Sequence, residues 1–512
     1  MSYRPTIGKT VIETLTLGMY ENPLIIYREY VQNAADAIDD AVEERILSRK
    51  SNGEINITIE KENRKIVIQD NATGIIADNA LNFLGDVANS QKNSIKNKGF
   101  RGIGRLGGMG YCEQLIFETS AKGENVKTII TLDASRLKKI IENDADTRDA
   151  AAVMSVITYL EKVNEERDAH YFKVTLQGVT NEKLLIHKNV NDYLSLAAPV
   201  PFSDNFAFKD KIYKEFKKRN FFLDEYDVHL TINDNSKLHK PYRNQLLTKV
   251  GSKPVDIIDV EIFEITDEKG EVIALGWFSV TTISNFKIDK QYIERSLRLR
   301  HKNIQLGDGS ALDRFFTKDS RFNNHYVGEV HAIADEFRPN ARRDYFNDNA
   351  IVSQFEGQLQ IVLDDLNDLS HDSSAIHVFI KKTTDYNSAK ASFDKNREEN
   401  KYSSQAQENE QWNQVENFRK EAVVAKEKLE KVLNKSDNRL AKKIYDTKSK
   451  DLKIDLDSSD RPTTKRYPKP DLPLLNEKQK IVVIEIFKIL RKELGINQAE
   501  KLIKIIIEKY SY

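Results

Sequence analysis

The chain has 512 residues, of which 39% are hydrophobic and 31% charged, and its 79 Lys and Arg balance 79 Asp and Glu, so the formal net charge is zero. This length suffices for about three domains. The balanced charge gives no general reason to expect nucleic acid or an anionic membrane as a partner, although a local basic patch could still bind either. A single cysteine, Cys112, excludes a disulfide within the chain, and with no apolar run near the ~20 residues of a membrane span and no signal-like core in residues 1–9, we expect a cytoplasmic protein.

The first strong pattern is a helix predicted over residues 21–48. Pro23 suits a first helical turn, and no breaker follows it. Within the segment EYVQNAADA, an advance of about 100° per residue places Glu29, Asn33 and Asp36 within about 60° of one another on one face. Two carboxylates and an amide so placed can line a pocket, but the same trio also suits a solvated polar stripe. The helix alone does not decide between these interpretations.

Two glycine-bearing segments follow the helix. Strands EINITIE (54–60) and KIVIQD (65–70) are expected to form a hairpin that ends at Asp70 and opens into a turn reaching Gly74. Residues 98–110, KGFRGIGRLGGMG, contain glycines at 99, 102, 104, 107, 108 and 110. Glycine at this density lets backbone N–H groups approach and bind an anion, and a helix beginning within the loop would add positive potential. This is not a Walker loop, since no Gly-Lys-Ser/Thr follows.

In this order the three segments resemble the GHKL (Bergerat-fold) ATPases, which include gyrase, MutL, histidine kinases and the ninety-kilodalton heat-shock chaperones. The run from Glu29 to Ala37 is similar to the family's N box, Asp70–Gly74 to its first glycine box, and Gly99–Gly104 to its second, where GFRG is close to the MutL-like form. The chain departs from the family at Ala72, which stands where a glycine is usual. Its methyl group is expected to narrow the approach to the nucleotide.

The resemblance implies that the chain binds ATP with Mg²⁺ and hydrolyses the nucleotide. Glu29 would accept a proton from the attacking water, and Asn33 would give Mg²⁺ one oxygen. Asp70 would accept a hydrogen bond from the adenine amino group, supported by Asp36 through water. Lys92, in the expected lid, is either a phosphate contact or a solvated lysine. The nucleotide contacts implied are Asn33, Asp36, Asp70, Gly74, Gly99, Phe100, Arg101, Gly102, Ile103, Gly104 and Thr175.

The implied fold is α+β. Residues 1–190 are expected to form the nucleotide-binding domain, a Bergerat-fold α/β sandwich with a mostly antiparallel sheet and helices on one face. Three more strands are predicted in CEQLIFETS, KTIITLD and HYFKVTLQ, with helices at about 78–89 and within 146–168. Residues 191–350 are expected to form a second, middle α/β domain, with strands in DVHLTIND, VDIIDVEIFEIT and VIALGWFSVTT.

A second catalytic residue is suggested late in the middle domain. The run Asn340-Ala-Arg-Arg343-Asp resembles a loop of the heat-shock chaperones in which an arginine enters the neighbouring nucleotide site and contacts the terminal phosphate. A guanidinium suits this role because its planar fork meets phosphate oxygens bidentately. Arg343 fits the pattern best and Arg342 is the alternate, while a plain surface Arg–Asp cluster is the competing interpretation.

The C-terminal region is expected to be helical. Residues 351–450 contain an amphipathic helix at 351–369 and a short heptad segment. Residues 451–473, with four prolines, are an expected linker. Residues 474–512 are predicted to form two apolar helices around Gly495, which either dimerise or dock on a partner, or pack on the chain's own core. The heptad positions are Val415, Phe418, Ala422, Ala425, Leu429 and Val432.

The expected function is therefore a Mg-dependent, ATP-hydrolysing, chaperone-like clamp that acts on protein partners and forms a homodimer through its C-terminal helices. An ATP-gated DNA clamp of the MutL or MORC type and an ATP-binding scaffold with little turnover are the alternatives. A histidine kinase is disfavoured because too few residues precede the N box for an acceptor-histidine helix. A type II topoisomerase is disfavoured because its acidic metal-binding and tyrosine-nucleophile domains are not recognisable.

Overall fold

The structure is a computed structural model of the chain. The chain divides into two compact units, one of residues 1–280 and 286–364 and the other of residues 281–285 and 365–512. The residues described are 7–16, 22–85, 104–231, 235–247, 253–281, 287–399, 401–402, 405–434, 441–442, 445–446, 449–457, 472 and 475–510.

An eight-stranded sheet, counted over the described residues, forms the framework of the first unit. Its spatial order is β5-β4-β3-β6-β2-β1-β7-β8, antiparallel throughout except for the parallel pair β1–β7. Ile55 and Ile57 on β1 and Ile66 and Ile68 on β2 are buried on one face, as a half-buried strand requires. The strands are β1 Glu54–Glu60, β2 Lys65–Asp70, β3 Gln114–Ser120, β4 Val126–Asp133, β5 Thr158–Asn164, β6 Tyr171–Gln177, β7 Asp227–Thr231 and β8 Asn235–Lys237.

Helix α2 packs its apolar stripe on this sheet. Tyr27, Val31, Ala35 and Ile38 recur at helical spacing and are fully buried in the core that the sheet shares. The Asn22 side chain accepts a hydrogen bond from the Leu24 backbone N–H at 3.1 Å, so the chain turns just before the helix begins. Ahead of the long helix that begins at Ala350, the described α-helices are α1 Thr10–Thr16, α2 Ile25–Glu43, α3 Ala77–Gly85, α4 Ala134–Glu142, α5 Ala150–Ile157, α6 His187–Ala197 and α7 Lys209–Lys218.

The helix predicted within residues 146–168 is only half right. The alanine-rich part forms α5, but Thr158–Asn164 forms β5, which pairs with β4 along its whole length. Thr158, Tyr159 and Val163 favour an extended backbone. The backbone N–H and C=O groups of β4 form hydrogen bonds with this segment. Local composition cannot predict such pairing with a distant strand.

A second sheet, of six described strands, follows in the order β13-β12-β14-β11-β10-β9, with β12 and β14 parallel. Its strands are β9 Gln245–Leu246, β10 Val255–Thr266, β11 Val272–Thr281, β12 Ser296–His301, β13 Ile304–Gln305 and β14 Val327–Ala332. The segment DVHLTIND, expected in this middle domain, instead supplies β7 to the first sheet by pairing with β1. Alternation predicts a strand but not the sheet that it joins. The domain bound near residue 190 stays a prediction.

Long helices account for most of the remaining described chain. They are α8 Ala350–Glu398, α9 Gln405–Leu433, α10 Glu477–Leu494 and α11 Ile496–Tyr510. A capping box of Asn476 and Gln479 starts α10, and Gly495, at φ +81°, separates α10 from α11. In the described residues no helix has the length and apolar character needed to cross a membrane. The chain has an N-terminal sheet domain, a further sheet and C-terminal helices. This α+β architecture confirms the predicted fold class.

Candidate active site

The Glu29 carboxylate lies at a buried junction between α2 and a distant loop. Its Oε1 atom is 3.3 Å from Nη2 of Arg28 and 3.0 Å from Nε of Arg343. Side-chain exposure is 5% for Glu29, 3% for Arg28 and 9% for Arg343, so solvent screens these charges weakly. Arg343 therefore meets Glu29 at one carboxylate oxygen, although each residue was suggested by a different motif.

The Arg343 loop is a tight turn that aims one arginine at the site. A bridge between Pro339 and Phe346 closes the loop, and the Arg343 N–H donates to the Asn340 carbonyl at 3.2 Å. Arg343 has φ +56°, a left-handed conformation that costs a non-glycine residue about 1 kcal/mol or more. Its neighbour Arg342 is exposed. Of the two arginines considered from the sequence, the structure brings Arg343 to Glu29.

Arg28, which the sequence analysis passed over, ties α2 to the second sheet. Its Nη1 atom donates to the Gln305 carbonyl at 3.4 Å and to the Arg343 carbonyl at 3.5 Å. A buried arginine is costly unless it is paired. The position of Arg28, directly before the Glu of the N box, was the feature of the sequence that could have drawn attention to it.

The end of the second glycine segment lies directly against Glu29. A Cβ added to Gly104 would be 2.3 Å from Glu29 Oε2, so glycine is needed for this close approach. The short 3₁₀ helix Gly104–Tyr111 is held by Tyr30, whose hydroxyl donates to the Arg105 carbonyl at 3.0 Å and accepts from the Gly108 N–H at 3.2 Å. Gly99, Phe100, Arg101, Gly102, Ile103 and Lys92 lie outside the described residues.

The first glycine segment forms a turn that only glycine can close. Gly74 has φ +63°, and a Cβ there would be 1.9 Å from the Ser120 carbonyl oxygen. Asp70 is buried at the end of β2 and accepts the Ala72 N–H at 3.0 Å. Ala72 is fully buried among the core hydrophobics, so its methyl group packs against protein. Its effect on nucleotide affinity stays a prediction.

Thr175 is the predicted site residue that the structure does not bring to Asp70. Asp70 lies opposite Phe172 in the β2–β6 ladder, and Thr175 lies opposite Val67. Because successive side chains alternate between faces, Phe172 shares the face of Asp70 and Thr175 points to the other. The motif in β6 was too short to fix the register, and a shift of one residue reverses the face. Asn33 and Asp36 follow Glu29 on α2, half-buried and buried respectively.

Comparison with known proteins first relates part of the chain to a class of domain. Residues 25–165 match the family described as histidine kinase-, DNA gyrase B-, and HSP90-like ATPase. The matched region contains α2 and both glycine segments. The resemblance inferred from these motifs is thereby confirmed over residues 25–165.

Beyond this domain, the chain is similar to two chaperones. It is 23% identical over 384 residues to the chaperone protein HtpG of Buchnera aphidicola subsp. Cinara cedri, a match that covers 71% of this chain and 57% of the chaperone. It is 26% identical over 233 residues to HtpG of Fusobacterium nucleatum subsp. nucleatum, covering 42% of this chain and 38% of the chaperone. The chain thus spans 57% of the length of the first of these relatives and 38% of the second.

Proposed function

We propose that the chain is a chaperone-like ATPase that binds ATP with Mg²⁺ and hydrolyses it, with Glu29 as general base and Arg343 as the contact to the terminal phosphate. The observation that carries the proposal is the 3.0 Å approach of Arg343 Nε to Glu29 Oε1. Two residues far apart in the sequence, each named by a separate motif, meet at one buried point. A chance surface cluster would not place both there.

The residues around this point fit a nucleotide. Gly104 lies where any side chain would strike Glu29, and Gly74 closes the turn after Asp70. Such glycines allow backbone N–H groups close to phosphates. Asp70 would accept a hydrogen bond from the adenine amino group, and Asn33 would offer Mg²⁺ an oxygen without adding charge. Mg²⁺, when bound, would neutralise charge on the phosphates.

The pairing of Arg343 with Glu29 suggests how binding prepares hydrolysis. A terminal phosphate carries more negative charge than one carboxylate and accepts a guanidinium bidentately, so ATP would compete with Glu29 for Arg343. Transfer of Arg343 to the phosphate would leave Glu29 with only Arg28 on Oε1. The carboxylate could then accept a proton from a water aligned on the phosphate. ATP binding and release of the base would be one linked event.

The chaperone-like part of the proposal follows from the similarity to HtpG and from the C-terminal helices. On α10, Ile481, Val482 and Ile489 are 64%, 58% and 62% exposed. A second copy of the chain would cover this apolar face, so we propose a homodimer through these helices. Light scattering should give twice the chain mass, and the double variant Ile481→Asp/Ile489→Asp should give the monomer mass. Lys478→Asp, on the exposed surface of the same helix, is the control.

The test of the ATPase proposal is Glu29→Gln, which keeps the size of the side chain but cannot take a proton. Phosphate release should fall about 10²- to 10⁴-fold, with the Kd for ATP, from calorimetry, within about 2-fold of wild type. Normal turnover by this variant would show that Glu29 is not the base. Adding an unfolded protein or duplex DNA to the wild-type assay separates a chaperone from a DNA clamp, because only the relevant partner should change the rate. A wild-type chain that binds ATP without turnover would be a scaffold.

A further inference from the structure

The hairpin of β12 and β13 contacts the active site at its outer strand. The Gln305 carbonyl on β13 accepts Arg28 Nη1 at 3.4 Å, beside Glu29 on α2. Just after β13, the Gly307 N–H donates to the Arg343 carbonyl at 3.0 Å. The hairpin therefore contacts both Arg28 on α2 and the backbone of Arg343.

The tip of the same hairpin is tied to α2 a second time, through a chain of polar contacts that we call the polar strap. Asn303 Nδ2 donates to the Asp224 carbonyl at 2.6 Å. The Asp224 carboxylate is 2.9 Å from Lys50 Nζ, which is 2.8 Å from the carboxylate of Asp39. Asp39 lies on α2, further along the helix that carries Glu29. The polar strap comprises Asp39, Lys50, Asp224 and Asn303.

The other side of Asn303 is fixed to the second sheet. Its Oδ1 accepts Lys240 Nζ at 2.8 Å, and Lys240 is paired at 2.9 Å with Glu329 on β14, both side chains being fully buried. Asn303 has φ +58°, which asparagine tolerates far better than most residues. One side chain thus joins α2, through the strap, to the middle of the second sheet.

We infer that the polar strap positions Arg343 in the active site by fixing the β12–β13 hairpin on α2. The inference rests on the proposed function, because the reaction it assists is ATP hydrolysis. Asn303 and Lys50 are positioning residues: they contact neither Glu29 nor Arg343, and they act through the hairpin. With two ties to α2, one beside Glu29 and one further along the helix, the hairpin cannot pivot about a single contact.

The sharpest variant is Asn303→Asp. Aspartate keeps an oxygen for Lys240 and tolerates the left-handed turn, but it has no N–H for the Asp224 carbonyl. It also adds a buried charge beside Lys240, so the inference requires that Lys50→Met, which leaves Asn303 unchanged, gives the same result. The matched control is Asn220→Asp, the same substitution at an exposed residue with φ +55°. Lys50→Met cuts the strap at its other junction. Each variant is measured in the wild-type background and in Arg343→Ala.

In the wild-type background, Asn303→Asp and Lys50→Met should lower kcat about 10-fold with the KM for ATP within about 2-fold, because displacement of a catalytic group lowers the rate more than binding. In the Arg343→Ala background the same changes should cost less than about 2-fold, since the group that the strap positions is gone. Equal losses in both backgrounds, or no loss in either, would overturn the inference.

Hydrogen exchange gives a second readout that does not need turnover. Asn303→Asp should speed exchange at Gly307 and Arg343, with β3 and β4 unchanged. General destabilisation would speed exchange in those strands too, and unchanged exchange at Gly307 and Arg343 would contradict the inference. If the wild type shows no turnover that depends on Glu29, the proposed function fails, and hydrogen exchange alone then decides whether the strap holds the Arg343 loop.

Discussion

Two buried carboxylates in the first unit, Glu29 and Glu329, each lie between two cationic side chains, yet their surroundings differ. Glu329 is fully enclosed on β14, where Arg300 and Lys240 pair with it. It also accepts the Tyr242 hydroxyl at 2.8 Å and contacts His331 Nε2 at 3.0 Å. Burial alone would raise the pKa of Glu329, but Arg300 and Lys240 hold that pKa well below its usual range.

The contacts of Glu29 are of another kind. Both arginines meet the same oxygen, Oε1, and one of them comes from a loop whose backbone is in a left-handed conformation. The other oxygen faces Gly104, where the absence of a side chain allows close approach. Glu329 is thus enclosed by strands on several sides. Glu29, by contrast, is paired with Arg343, for which another anion can compete. The first arrangement stabilises a fold and the second suits a reaction.

The strongest test of this contrast is to neutralise each carboxylate. Glu329→Gln leaves Lys240 and Arg300 buried without their counter-charge, and it should lower the free energy of unfolding by about 3–5 kcal/mol. Glu29→Gln should lower it by less, because Arg28 keeps its contacts to the Gln305 and Arg343 carbonyls, while turnover should fall about 10²- to 10⁴-fold. Urea titration followed by circular dichroism measures both. Equal losses of stability would remove the distinction between the two sites.

The next largest effect is expected at the exchangeable partner. Arg343→Ala should lower kcat on the order of 10²-fold, because the proposed phosphate contact is lost. Arg342→Ala, at the exposed neighbouring position, should leave kcat within about 2-fold. Steady-state phosphate release compares the two variants. If Arg342→Ala lowered kcat and Arg343→Ala did not, Arg342 would be the phosphate contact and the assignment to Arg343 would be wrong.

How much of this contrast the sequence reveals depends on the range of the contacts. Glu29, Asn33 and Asp36 lie on one helix, so their spacing was enough to predict a shared surface. Arg343 was reached only through a resemblance, because no local pattern encodes a contact between α2 and a loop so distant in the chain. Glu329 was not anticipated at all: a glutamate within a strand gives no sign of the cations that two other segments bring to it.

Register and sheet membership were the other limits. Thr175 was placed near adenine by a short motif, but the ladder between β2 and β6 puts it on the face opposite Asp70. β7 was predicted as a strand of the middle domain, whereas it pairs with β1, which lies far back in the sequence. Both depend on pairing across the sheet, which local alternation cannot specify.

A smaller effect should separate the two glycines of the candidate active site. Gly74→Ala combines a left-handed backbone with a Cβ 1.9 Å from the Ser120 carbonyl oxygen, and rigid backbone cannot yield, so about 2 kcal/mol of stability should be lost. Gly104→Ala meets the Glu29 side chain, which can turn away, so turnover should fall more than stability. Gly270→Ala, at φ +82° with nothing within 4 Å, controls for backbone strain alone. Thermal melting and phosphate release on all three variants give the comparison.

The smallest effect is the pH dependence that the Glu329 cluster should add. Burial, the largest influence, lowers the pKa of His331 from 6.5 to about 4, so this histidine stays neutral in the folded chain while it protonates in the unfolded one. Between pH 6.5 and 4 the unfolded state binds more protons, and stability must fall as the pH is lowered through that window. His331→Phe should flatten this decline by about 1–2 kcal/mol. Urea midpoints at pH 7, 6, 5 and 4 measure the slope, and identical slopes for His331→Phe and wild type would mean that the cluster does not exclude the charged imidazole.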